Sequence, residues 1–100
     1  MTAISRITDL GEGTCAIDGL DYITTFVSGA TSVFINSLPV AIISTLGDQD
    51  CGHVSVASTG SSNVFVEGMA VHRIADTGLG EGEDIYTVIT GSPDVFNDGG

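Results

Sequence analysis

The chain has no lysine and no tryptophan, and its only basic residues are Arg6 and Arg73. Against them stand 13 acidic residues, for a formal net charge of -11. Such a surface repels phosphate backbones and anionic lipid headgroups, which argues against a nucleic-acid partner. Long apolar runs are also missing. The longest, LPVAII (38–43), is far too short to span a bilayer. The start, MTAISRITDLG, shows neither a basic segment nor an apolar one, so synthesis in a cytosol is expected. There Cys15 and Cys51 stay reduced unless a metal holds them. Proline is scarce at 2 residues, while glycine reaches 14, so glycine makes most of the turns.

What is present is a repeat. Gly29, Gly60 and Gly91 stand 31 residues apart. Four residues after them come Val33, Val64 and Val95, then Phe34, Phe65 and Phe96. Six before them come Ile23, Val54 and Ile85. A second column pairs ISRITD (4–9) with VHRIAD (71–76), so both arginines sit three residues before an aspartate. The middle copy reads as ISTLGD (43–48), with Thr45 in place of the arginine. Internal repetition of this kind governs the fold.

The segments YITTFV (22–27), HVSVAS (53–58) and IYTVIT (85–90) are rich in β-branched and aromatic residues and read as strands, each followed by a turn and a short VF strand. No helical period exceeds about two turns. The expected class is all-β: one domain over 1–100, in units of approximately 4–43, 44–71 and 72–100 that close around an axis with pseudo-threefold symmetry. A chain of this size buries only ~60–65% of its unfolded surface, and such domains often lean on a metal, a disulfide or a partner chain.

Cys15, Cys51, His53 and His72 are four groups of the type and number that a tetrahedral Zn²⁺ site uses. If the units converge, their turns can bring these residues together. Two plainer readings stand beside this one: Cys15 as a small buried apolar residue, and His72 as a surface residue beside Arg73. A Cys51–His nucleophile pair lacks an identifiable third group, so no enzyme is expected. The runs LGEGT, LGDQD and GLGEGED do not follow the calcium-loop order and read as solvated turns.

The stretch GSSNVFVEGMAVHRIAD (60–76) closely resembles the repeat unit of the PAAR-repeat proteins, and ISRITD and TGSPDVFNDGG are similar to their first and last segments. The resemblance is strong over 58–76, good over 89–96 and looser over 10–48. It implies a small cone with a metal, usually zinc and here possible as iron, held near the apex by Cys15, Cys51, His53 and His72. It further implies a base formed by Val33, Phe34, Ile35, Val64, Phe65, Val66, Val95 and Phe96. That base would sit on a trimeric β-helical spike, one tip per trimer, in a contractile phage tail or type VI secretion system. Such a tip is part of the virion, at the spike of the baseplate. It touches the target membrane transiently, and it has no small-molecule substrate. The stretch SLPVAIISTLGD (37–48) departs from the family pattern in lacking the arginine. The alternative is a free-standing metal-binding β module.

Overall fold

The computed structural model describes residues 2–97. Among them every regular element is a β-strand. Six strands close into an antiparallel barrel: β2 (Leu10–Thr14), β3 (Asp21–Phe26), β6 (Leu46–Gln49), β7 (Val54–Ala57), β10 (Thr77–Gly80) and β11 (Ile85–Val88). They form three hairpins, β2–β3, β6–β7 and β10–β11, joined edge to edge so that no barrel strand is left unpaired. Three further two-stranded pairs lie outside the barrel. β4 (Phe34–Ile35) pairs with β5 (Leu38–Pro39), and β8 (Phe65–Val66) with β9 (Met69–Ala70). The third pair joins the two ends of the chain, β1 (Thr2–Ala3) with β12 (Phe96–Asn97).

Three connecting segments meet between the barrel and these outer pairs. Ser5 N–H donates to the His72 carbonyl, His72 N–H to the Ala41 carbonyl, and Ala41 N–H to the Ser5 carbonyl, each at 2.9 Å. The ring is closed, and all three residues are fully buried. It divides the interior into two cores. Above it, Tyr22, Phe26, Tyr86, Val88, Cys15 and Ala41 fill the barrel. Below it, Ile4, Ala30, Val40, Ile42 and Val71 pack against Ile35, Val64, Val66, Met69 and Val95 from the outer pairs.

Each segment then turns upward through a left-handed residue, Thr8, Ser44 or Ala75, with φ of 80°, 84° and 74°. One position later, Asp9, Thr45 and Asp76 each donate an N–H to the residue three before, namely Arg6, Ile42 and Arg73. This corrects the reading of the middle copy. The counterpart of Arg-x-x-Asp is Ile42-x-x-Thr45, not a motif ending at Asp48. The Asp9 and Asp76 carboxylates accept from the backbone N–H of Arg6 and Arg73 and pair with their guanidinium groups at 2.8 and 2.9 Å. In the middle copy the Thr45 hydroxyl takes the carboxylate's role and accepts from Ile42 N–H at 2.9 Å. A nearly buried ion pair is thereby replaced by an apolar side chain and a hydroxyl, an exchange that interiors tolerate.

The Gly-rich runs expected as turns are barrel strands: LGEGT is β2, and much of the other two runs forms β6 and β10. The reason is lumen width. A Cβ at Gly11 or Gly78 would overlap the Tyr86 ring, and one at Gly47 would overlap the Thr24 and Ser55 hydroxyls. Glycine in these strands admits the large residues of their neighbours. Gly78→Ala is therefore expected to destabilise the fold by roughly 2–3 kcal/mol through overpacking. Urea unfolding would read this as a lowered midpoint at unchanged slope.

Candidate metal centre

Three connections cross the far end of the barrel from the buried ring. Between β2 and β3, Cys15 N–H donates to the Leu20 carbonyl and Gly19 N–H to the Cys15 carbonyl, both at 2.8 Å, folding residues 15–20 into a tight loop. Between β6 and β7, Gln49 N–H donates to the His53 carbonyl and Gly52 N–H to the Gln49 carbonyl, both at 2.9 Å. Gly52 has φ of +94°, which explains why glycine separates the two donors of Cys51-Gly52-His53.

These two loops bring Cys15, Asp18, Cys51 and His53 together, with one ligand atom of each lying within 4.8 Å of all the others. His53 Nδ1 lies 3.3 Å from Cys15 Sγ and 3.6 Å from Cys51 Sγ. For a tetrahedral ion with ordinary Zn–S and Zn–N bond lengths, the S···N edge is about 3.6 Å. The group is thus the right size for one four-coordinate ion, with soft sulfur and imidazole donors and one carboxylate. Cys15 is buried, Cys51 and His53 are half-buried, and Asp18 is exposed. Burial pushes the Cys15 thiol above its ordinary pKa, a cost that a bound cation would reverse by favouring the thiolate.

The third connection, 81–84, supplies no ligand to this group but braces both loops that do. Asp84 Oδ2 accepts from Ala16 N–H at 3.0 Å, next to Cys15, and Asp84 Oδ1 accepts from Tyr22 O–H at 2.7 Å. Glu81 Oε1 accepts from Val54 N–H at 3.0 Å, next to His53. The Asp84 carboxyl is held below its ordinary range: desolvation opposes this, and the hydrogen bonds from Ala16 and Tyr22 outweigh it.

Of the expected ligands, Cys15, Cys51 and His53 meet and His72 does not join them. Its side chain is fully buried inside the barrel, packed on Phe26 and Tyr86 with ring centroids 5.4 and 5.9 Å away. Nδ1 lies 2.6 Å from the Thr59 carbonyl and Nε2 lies 2.9 Å from the Tyr86 hydroxyl. Since the carbonyl requires a donor, Nδ1 carries the proton, and Nε2 accepts from Tyr86. His72 is therefore neither a surface residue nor free to ligate. Asp18 stands in the group instead. Its signal in the sequence is its place three residues after Cys15, in the same short loop.

At the opposite end, the VF segments divide by face. Phe34, Phe65 and Phe96 are 56, 58 and 43% exposed. Ile35, Val64, Val66 and Val95 pack against the lower core, and Val33 stands exposed beside Phe34. The turns holding these segments are latched to one another. Glu67 accepts from the N–H groups of Thr31 and Ser32 at 3.0 and 2.9 Å. Asn36 donates to Asp94 at 2.8 Å, and Asn97 to Asn63 at 3.1 Å. Comparison of the chain with protein-family models and with curated protein sequences returned no match.

Two outcomes are expected. Asp84→Ala should weaken metal binding by about tenfold, since supports behind a metal site commonly matter that much, as read by competition with a chromogenic chelator. His72 should make the fold acid-sensitive. Desolvation lowers its pKa from the usual 6.5, so its neutral form stabilises the fold above about pH 6.5, and that contribution is lost as pH falls toward the depressed folded value. Urea midpoints measured with chelator present should fall less steeply over this range in His72→Gln than in the native chain.

Proposed function

We propose that this chain is a non-enzymatic tip that caps a trimeric β-helical spike and sharpens it for passage through a cell envelope. The observation that carries the reading is the set of three outer strand pairs, each presenting a phenylalanine to solvent around one shared core. A single chain with three like contacts suits a partner with a threefold axis, where one tip must meet three equivalent strand ends. Bare strand ends invite wrong pairing, and a cap removes that liability. In this reading the three barrel hairpins and three outer pairs are one unit repeated around an axis, and the molecule is a cone with the outer pairs as its base. Extents of 36 × 24 × 23 Å, one long axis and two nearly equal short ones, support that shape.

The apex is then the loop end with Cys15, Asp18, Cys51 and His53, and the ion is zinc, with iron as the other candidate. When bound, the metal supplies a rigid cross-link between two loops of a domain with a small core. Ile17 and Leu20, 57 and 63% exposed in the Cys15 loop, are apolar side chains at the end that meets a lipid surface first. The setting is the baseplate of a contractile tail, or the equivalent spike of a type VI secretion system.

Two measurements test this. Titration with zinc should saturate at one ion per chain and raise the melting temperature, and a chelator should reverse the rise. Mixing the chain with a trimeric β-helical spike should give one tip per three spike chains by native mass spectrometry, and Phe65→Asp should weaken that complex by roughly tenfold or more. A chain that binds zinc but no spike end would instead be a free-standing metal-binding module.

A further inference from the structure

We propose that Cys15 and Cys51 form a reversible intramolecular disulfide when the site holds no metal, so the two loops are closed either by an ion or by an S–S bond. The sulfurs lie within 4.8 Å of each other and are not bonded. Reaching the bonded distance of about 2.05 Å requires an approach of less than about 3 Å. The loops that carry them are short, largely exposed and turned by Gly19 and Gly52, where no atom lies within 4 Å of an added Cβ. His53 Nδ1 lies near both sulfurs, and the Cys51 thiol also donates to Gln49 Oε1 at 3.2 Å. The chain has no third cysteine to compete.

Burial sets the order of events. Cys51 is half-buried and meets a dissolved oxidant first, while Cys15 is 1% exposed. With a peroxide as oxidant, the Cys51 S–H and HO–OH give Cys51 S–OH and water; an S–O bond forms as the O–O bond breaks. Cys15 sulfur then attacks Cys51 sulfur. The S–S bond forms, the S–O bond breaks, and the departing oxygen leaves as water with the Cys15 proton. In sum, two thiols lose two electrons and one peroxide becomes two waters. The bond would join segments 36 residues apart, the same cross-link that the metal makes.

The disulfide itself stands without the metal reading; only protection by metal rests on it. The experiment exposes the full-length, metal-free chain to hydrogen peroxide and follows thiol count and intact mass without reductant. Expected is a monomer that has lost both thiols and two hydrogen masses, restored by dithiothreitol. Zinc at about 100 times its Kd should slow this about 100-fold, because only the metal-free fraction reacts. In Cys15→Ser, Cys51 should stop at the sulfenic acid and be trapped by dimedone. Retention of both thiols, gain of oxygen masses alone, or disulfide-linked dimers in the native chain would overturn the proposal. Disulfide formation in a chain that binds no zinc would support it while removing the metal reading.

Discussion

Everything in this molecule hangs on three backbone hydrogen bonds arranged in a circle. Ser5, Ala41 and His72 each donate to one of the others and accept from the third. In a fully buried position none of these groups has water as a substitute partner, so the loss of one segment orphans groups on both others. The three residues are far apart in sequence, and no two of them can complete the circle. Folding must therefore gather most of the chain before this contact repays the entropy of gathering it. The ring also fixes which way the chain leaves it. Upward through Thr8, Ser44 and Ala75 lies the barrel; downward lie the short outer pairs.

The two ends of the molecule are held by different means. At the outer pairs, side chains of one turn bond to the next, with Glu67, Asn36 and Asn97 passing the contact around. At the loop end the arrangement is uneven. Two connections bring the sulfur, nitrogen and oxygen donors together, and the third contributes Asp84 and Glu81 as braces.

The 31-residue spacing made the strand pairs legible. Two of the glycines in that column, Gly29 and Gly60, have a steric reason the spacing alone does not give: a Cβ there would press on the carbonyl of Val40 or Val71. In the turn after Gly60, Ser61 Oγ accepts from the N–H groups of Asn63 and Val64 at 3.1 and 2.9 Å. The strands containing Gly11, Gly47 and Gly78 were hidden because glycine reads locally as turn, and only the crowding of Tyr86, Thr24 and Ser55 shows why it stands in a strand. The middle copy of Arg-x-x-Asp is not legible in the sequence, because Ile42 and Thr45 preserve the backbone bond and the acceptor for Ile42 N–H but no side-chain identity. Residue type and loop position single out Cys15, Cys51 and His53, and these three do lie together at the loop end. His72 reads as a ligand from its imidazole alone, because a sequence does not show Tyr86 and Thr59 already occupying both of its nitrogens.

The third outer pair joins segments far apart in the sequence, β1 at Thr2–Ala3 and β12 at Phe96–Asn97, whereas β4–β5 and β8–β9 each close through their own short turn. A version joined by a short linker across β1 and β12 and opened between Glu67 and Gly68, both left-handed at φ of 54° and 79°, would run its strands in a new order through the same space. Such a circular permutant would separate what the sequence order contributes to this fold from what the ring of three bonds imposes on its own.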